Sequence, residues 1–379
     1  MSSFPFLNLK ELNRSLDGEI RAAMNAVLAH GQFVNGPEVR QFDREWAAFC
    51  QVPEAVGCAN GTAAMHALLE CLGVGPGDEV IVPSHTFVAS AESIRLSGAK
   101  PVFVDIDPDT MLVDAASLRE SITPRTRAIS VVHLYGMPVD FDAVSEAAAT
   151  NGIPVVEDAC QAHGATYKGR PTGGLGAGAA FSFFPGKNLG AFGDAGAVTA
   201  TDADLAGRLR RYVDHGRTEK YTHIEMGTNY RLDTLQAAVL LVKLRHLREW
   251  TRRRQELAAR YEEILSAEPF PSFPVRLQKA PEGSVSARHL YVIRVANRDA
   301  VIEGLREEGV RTGIHYPIPC HLQPSMRDYT EGEGSLPHTE QAAREIISLP
   351  MCPTLRPEDA EEICSRLRRV LEKTAAVAS

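Results

Sequence analysis

Residues 155–197 read VVEDACQAHGATYKGRPTGGLGAGAAFSFFPGKNLGAFGDAGA. A short apolar run ends in an acidic pair, Glu157-Asp158. A polar turn and a glycine-rich loop follow. A second apolar strand, Ala179 to Phe184, then runs into Lys187, bracketed by Gly186 and Asn188. Short apolar runs bounded by Gly and Pro are typical of buried parallel strands, and α/β sites form at the carboxyl ends of such strands. Few chemistries need an aspartate at one strand end and a lone lysine just past the next.

The chemistry that fits best is that of pyridoxal phosphate. Lys187 would form the Schiff base with its aldehyde, and Asp158 would face the ring nitrogen. Such a lysine attacks as the neutral amine, so it needs a tight, partly apolar setting that lowers its pKa. Phe181, Phe183, Phe184 and Pro185 are expected to supply it. A buried carboxylate beside the ring nitrogen favours the protonated ring that draws electrons from a substrate. The bland alternative makes Asp158 a helix cap and Lys187 a surface loop residue; the order and surroundings of the pair weigh against it. Strand alternation turns Ser182 away from Phe181 and Phe183, and a phosphate oxygen would satisfy its hydroxyl. The run Gly186-Lys187-Asn188 is no P-loop, because the position five before Gly186 is Phe181 rather than Gly.

Upstream, Leu16 to Ala29 has helical spacing, GQFVNGP breaks it, and Pro37 suits a first helical turn. Val39, Phe42, Trp46 and Phe49 follow at steps of three and four, one buried helix face. AVGCANGTAAMHALLECLGV reads as strand, tight turn and helix. Its helix N-terminus, at Asn60-Gly61-Thr62, suits a phosphate; Thr62 could also simply cap the helix. Glu79–Pro83 and Pro101–Asp105 are two more buried strands, with Phe87 just past the first. Asp105 and Asp107, beside Pro108 and Asp109, read as turn residues rather than a metal site. RTRAISVVHLYG is another strand; His133 at its end could approach the cofactor or be a satisfied core histidine.

Downstream, RLRRYVDHGRTEKYTHIEMGTNYRLD is polar and weakly periodic, and reads as a loop. Thr234 to about Leu265 reads as one long helix with Arg252-Arg253-Arg254 on its charged outer face. SARHLYVIRVAN is a strand, and Ala300–Glu308, Ala342–Leu349 and Pro357–Lys373 are helices.

VEDACQAHGA, FSFFPGKN and GDAGA, with ANGTAA, PSHTFVAS, GTNYRLDTLQAA and GIHYPIPCHLQ, resemble the DegT/StrS family of sugar aminotransferases, pyridoxal phosphate enzymes of fold type I. The resemblance runs from about Gly31 to about Pro353. It implies an α/β aminotransferase fold of type I. A large domain, residues 1–250, would carry a mostly parallel seven-strand sheet flanked by helices. A smaller α+β C-terminal domain would span 251–379, with the first residues packed on it. It makes Gly61, Thr62, Ala63 and Ser182 phosphate contacts. Phe87 would stack on the pyridine ring, and Gln161 would meet its hydroxyl side. The loop carrying Tyr221, His223 and Asn229 would reach the active site of a second subunit in a homodimer, with Asn229 on the phosphate. His315, Tyr316 and His321 would meet substrate, unless these histidines brace the domain interface instead. The implied reaction moves an amino group, from L-glutamate, to a nucleotide-linked keto-sugar. The alternatives are a keto-cyclitol acceptor and a cofactor-binding regulator without turnover. A dehydrating branch has a histidine where Lys187 stands here. Lys220, Arg217 and Arg311 are candidates for holding a diphosphate.

Composition narrows the rest. The 379 residues suffice for two domains. A net charge of −8 at pH 7 without a long basic run argues against nucleic acid as a partner. Seven cysteines without a C-x-x-C pair suggest reduced thiols in a cytoplasmic protein with no structural metal. The N-terminus does not read as a signal peptide, and no run approaches the roughly 18 apolar residues of a membrane span.

Overall fold

The computed structural model describes residues 3–378. Its centre is a seven-stranded sheet of β1 (Glu54–Cys58), β2 (Glu79–Pro83), β3 (Lys100–Val104), β4 (Thr126–Val132), β5 (Val155–Asp158), β6 (Gly178–Ser182) and β7 (Gly196–Ala200). The spatial order is β1-β7-β6-β5-β4-β2-β3. Neighbours from β6 through β5, β4 and β2 to β3 pair in parallel, and β7 alone runs antiparallel to both its neighbours. Strands buried on both faces explain why these segments read as apolar runs rather than alternations. This is the mostly parallel α/β sheet expected of an aminotransferase of fold type I.

Helices cover both faces. α1 (Asp17–His30) and α2 (Pro37–Cys50) precede the sheet, and Pro37 does occupy the first turn of α2. Val39, Phe42 and Trp46 are buried on one face of α2. Trp46 meets Phe181 and Phe183 edge-on, with ring centroids 4.9 and 5.2 Å away. Strand alternation therefore turns both phenylalanines into the core, away from the lysine they were expected to surround. Truncating either would cost about 3–5 kcal/mol. α3 (Gly61–Cys71) is buried nearly all round, packed on β6 and β7 with further helices outside it.

The long helix expected from Thr234 is two helices, α4 (Thr234–Leu244) and α5 (Leu247–Ser266), broken at Arg245-His246. Beyond α5, β8 (Val275–Leu277), β9 (Tyr291–Val295) and β10 (Ile346–Leu349) form an antiparallel three-stranded sheet. Helices α6 (Arg298–Glu307), α7 (Pro337–Glu345) and α8 (Pro357–Ala378) complete this layer. The helix expected over Ala342–Leu349 is thus split. Residues 346–349 leave α7 and become β10, because Ile346-Ile347 are β-branched, all four residues are buried, and β9 offers a partner. Phe4 joins this C-terminal core with Leu257, Tyr261 and Ile293. Its backbone pairs with Gly309 and Arg311.

Two buried polar contacts tie the layers together. The Asp105 carboxylate accepts from the backbone N–H groups of His338 and Thr339 at 3.0 and 2.7 Å, capping α7 from the large sheet. Asp107 accepts from Asp109 and Thr110, as a turn residue does. Glu157 is also structural: it accepts from the N–H groups of Gly173, Leu175 and Gly176 and lies 2.9 Å from His133 Nε2. His133 is therefore a satisfied core histidine, and its pairing with Glu157 pins the glycine-rich loop beneath the sheet's carboxyl edge.

Candidate active site

A cavity of about 720 Å³ opens at the carboxyl ends of β5 and β6. Asp158, Lys187, Gly61, Thr62, Ala63, Phe87, Gln161, Ser182, His315 and Tyr316 all line it. The fold thus gathers these ten residues, all singled out from the sequence, into one space. Parallel strands bring this about, because Asp158 ends β5, Ser182 ends β6, and the strands are neighbours in register.

Asp158 is held from two sides. Its Oδ2 accepts from Ser90 Oγ at 2.7 Å, and its Oδ1 accepts from the Cys160 backbone at 3.1 Å. Ser90 in turn meets Thr86 Oγ1 at 2.9 Å. Lys187 Nζ makes no hydrogen bond or ion pair with any described residue. Burial lowers its pKa, against the opposing pull of Cys160 and Asp158. Of the four residues expected to supply apolar surroundings, Phe184 lines the cavity while Phe181 and Phe183 do not.

At the start of α3, Asn60 is the cap, not Thr62: Asn60 Oδ1 accepts from Ala63 N–H at 2.8 Å. The N–H groups of Gly61 and Thr62 remain at the free end. Gly61 must be glycine, since a Cβ there would lie 2.8 Å from both Cys160 Sγ and Ser182 Cβ. That close packing sets the first turn of α3 against Ser182, which gives a cradle of backbone donors and one hydroxyl.

Gln161 bridges the layers, accepting from Tyr135 N–H at 2.7 Å and donating to Tyr316 Oη at 3.1 Å. Tyr135 Oη donates to the His315 carbonyl at 2.6 Å. The His315 ring stacks on Phe6, and its Nδ1 lies 2.8 Å from Ser348 Oγ. Burial pushes its pKa down to about 4, with Lys187 adding to the effect. Phe87 is half exposed at the cavity mouth, its ring 5.3 Å from that of Tyr316.

Four expected residues lie elsewhere. His321 is buried between layers, 2.6 Å from Ser84 Oγ and 3.3 Å from Glu340 Oε1, and does not reach the cavity. It is the interface brace of the two roles considered, because the turn at Pro319 directs it inward. Tyr221, His223 and Asn229 are exposed and lie outside this cavity. Tyr221 and His223 belong to a hairpin rather than a loop, with Arg217–Glu219 pairing antiparallel to Thr222–His223, while Asn229 follows it and bridges to Asp214. Arg217 is committed to Asp214 at 2.6 Å.

Several cavity residues escaped the sequence reading. Phe6 and Leu7 come from the N-terminal segment, which carried no motif. Arg254, His289 and Met351 come from the C-terminal side. Arg254 is 2% exposed and not on the outer face assigned to it. A signal existed: Leu247, Trp250, Arg254, Leu257, Tyr261 and Leu265 share one helical stripe, and all are buried. The charged triplet Arg252-Arg253-Arg254 masked it.

The donor set fits pyridoxal phosphate. An unpaired, half-buried lysine, a carboxylate with a fixed orientation and a helix-end cradle face one cavity of suitable size. Such a fold and site define an enzyme of the aminotransferase class. Residues 14–368 match the model of the DegT/DnrJ/EryC1/StrS aminotransferase family, and the chain belongs to that family. It is 45% identical over 97% of its length to dTDP-3-amino-3,4,6-trideoxy-alpha-D-glucose transaminase of Streptomyces venezuelae, covering 96% of that protein. It is 43% identical over 96% of its length to UDP-2-acetamido-2-deoxy-3-oxo-D-glucuronate aminotransferase of Pseudomonas aeruginosa, covering 99% of it. A crystal structure of S. venezuelae DesV in complex with a ketimine intermediate superposes with a TM-score of 0.95 at 44% identity, covering 98% of this chain and 99% of that one.

Proposed function

We propose that this enzyme moves an amino group from L-glutamate to a nucleotide-linked keto-sugar, using pyridoxal phosphate. The observation that carries the reading is Lys187: a half-buried, unpaired amine that shares one cavity with Asp158. The sugar class is supported by relatives whose names specify dTDP- and UDP-linked sugars.

Gly61, Thr62 and Ser182 would hold the phosphate, Phe87 would cover the ring, and Lys187 and Asp158 would flank its reactive parts. When bound, the cofactor supplies an aldehyde that takes up the amine and a ring that withdraws electrons from the adjoining carbon. Lys187, its pKa lowered by burial, would take the proton from the donor's α-carbon and deliver it to the carbon that was the cofactor's aldehyde. Asp158, oriented by Ser90 and the Cys160 N–H, would hold a proton at the ring nitrogen. Gln161 and Tyr135 keep the two layers in register around the reacting atoms. Phe6, Leu7 and Phe184 exclude water from one wall.

Tyr221, His223 and Asn229 act in a partner subunit of a homodimer in this reading, which their exposure and their absence from the lining of their own cavity support. The small C-terminal domain begins at about residue 251, inside α5. The seven unpaired cysteines support a reducing compartment such as the cytoplasm.

Two relatives bear regulatory names: "Pleiotropic regulatory protein" of Geobacillus stearothermophilus, 42% identical, and the sensory transduction protein EryC1 of Saccharopolyspora erythraea, 44% identical. A regulator without turnover would keep the cofactor but fail the first half-reaction. The test is the absorption spectrum of the holoenzyme before and after L-glutamate alone. Conversion to the pyridoxamine form, reversed by a nucleotide-linked keto-sugar, supports the proposal. A cofactor band that ignores glutamate and every other amino acid defeats it.

A further inference from the structure

Asn188 follows Lys187 in the chain, yet its side chain takes no part in the proposed reaction. It is buried, and both ends of its amide meet the segment that leads into β9. Nδ2 donates to the Ala287 carbonyl at 2.9 Å, and Oδ1 lies 3.0 Å from His289 Nδ1. The first bond fixes the second. A carbonyl only accepts, so the amide nitrogen faces Ala287 and the amide oxygen faces His289. An oxygen acceptor there requires a hydrogen on Nδ1.

A neutral histidine with its hydrogen on Nδ1 carries a bare lone pair on Nε2. The surroundings keep His289 neutral. Burial drives its pKa well below the ordinary 6.5, and Lys187, Arg254, His163 and His315 push the same way. His289 lines the cavity that holds Lys187. Its Nε2 has no partner among the described residues, and it is not sealed in the interior as the partnerless Nδ1 of His163 is. The two histidines are thus opposites. His163 turns Nε2 to the Ser182 carbonyl at 2.9 Å and hides its lone pair, whereas His289 opens its lone pair to the cavity.

A lone pair so placed calls for a donor. Lys187 Nζ carries hydrogens and has no partner among the described residues, and Asn188 ties His289 to the residue next to it. We infer that Asn188 locks the tautomer of His289, so that His289 Nε2 accepts a hydrogen bond from the Lys187 amine whenever that amine is free of the cofactor. His289 is then a positioning residue. It takes no proton itself, and it steadies the ammonium that Lys187 becomes on taking the donor's proton. The inference rests on Lys187 being the amine that leaves and rejoins the cofactor.

The test uses the holoenzyme with nitrogen-15 in its imidazoles, and the variants His289→Phe, Asn188→Asp and Asn188→Leu. The His289 resonances are those missing from His289→Phe. Near neutral pH they should report a hydrogen on Nδ1 and none on Nε2. In Asn188→Asp the new carboxylate should place hydrogens on both nitrogens, because it favours the charged ring. His289→Phe should slow the maximal rate of the L-glutamate half-reaction about ten- to a hundredfold, the scale for one hydrogen bond to a charged group, and leave the apparent Kd of glutamate within about twofold. α-Deuterated glutamate should show a larger isotope effect in that variant, since proton transfer is the step slowed. Asn188→Leu, which frees the tautomer, should lose less. A hydrogen on Nε2 in the unsubstituted enzyme would overturn the inference. So would an unchanged maximal rate in His289→Phe, or a loss confined to Kd.

The unsubstituted enzyme supplies a second measurement should the variants not accumulate as folded protein. Methoxyamine frees Lys187 from the cofactor with no proton transfer at carbon. Its addition should move the Nε2 resonance toward that of a hydrogen-bonded acceptor, and a resonance that stays put overturns the contact. An enzyme that shows this movement yet ignores glutamate and every other amino acid would sink the proposed amino transfer and leave the His289 contact standing.

Discussion

The strip from Asp158 to Lys187 and the hairpin of residues 217–227 carry comparable numbers of polar groups but obey opposite rules. In the strip, each oriented group is fixed by its own subunit: Asp158 by Ser90, Gln161 by Tyr135 and Tyr316, Asn188 by Ala287 and His289. In the hairpin, Tyr221 is 82% exposed and Met226 88%, with Ile224 beside them. Asp214, bonded to Arg217 and Arg231, ties down only its base. A site part finished within one chain shows in burial and satisfied hydrogen bonds. A part that waits for another molecule shows as apolar side chains left in water.

The largest break of that contrast is Lys187→Ala. It should lower amino transfer by about 10⁴-fold, the upper range for removing a general acid–base group, while thermal stability holds. Rates within a few-fold of the parent would move the chemistry to another residue. Asp158→Asn should keep cofactor bound and slow turnover by about 10²–10³-fold, as for other preorganised charges. Stopped-flow spectra of the glutamate half-reaction read this directly, and near-normal rates would remove Asp158 from the mechanism.

Three buried histidines should also make the fold acid-sensitive. Burial lowers the pKa of His85 and His315 to about 4 and of His163 to about 3. Between roughly pH 4 and 6.5 the unfolded chain then binds more protons than the folded one, so stability rises with pH there and falls on acidification. His85 and His315 each contribute about 3 kcal/mol of loss, and His163 about 5, once pH drops below the folded value. A melting temperature that is flat from pH 6.5 to 4.5 would contradict this.

The smallest effect sharpens the other side. Asn229→Ala should weaken cofactor binding about tenfold, the cost of one hydrogen bond to a charged group. At a cofactor concentration too low to fill Asn229→Ala sites, mixing Asn229→Ala with Lys187→Ala subunits should give more activity than either alone, because a hybrid of the proposed homodimer contains one site free of both changes. No recovery, under conditions where subunits exchange, would return the hairpin to its own subunit.

The alternation of β6 was readable, and it correctly turned Ser182 to the cavity. The same alternation, followed one step further, would have removed Phe181 and Phe183 from the lysine's surroundings. His321 was ambiguous because a histidine beside two prolines fits a brace as well as a ligand, and only the position of Ser84 and Glu340 separates them. Arg254 was misplaced because charge was given more weight than the helical stripe on which it lies. Phe6 and Leu7 had no readable signal, since their contacts are with residues hundreds of positions away.

The sequence by itself determined the strand-end placement of Asp158 and Lys187, the glycine at the start of α3 and the family to which the chain belongs. Those are local patterns, set by backbone geometry and short spacing. The tertiary structure alone decided which side chains share a wall. Arg254, His289, Phe6 and Tyr316 reach Lys187 only because α5, the C-terminal sheet and the N-terminal segment fold back over the carboxyl edge of the large sheet. The contacts between these layers depend on packing between distant segments, and no spacing along the chain encodes them.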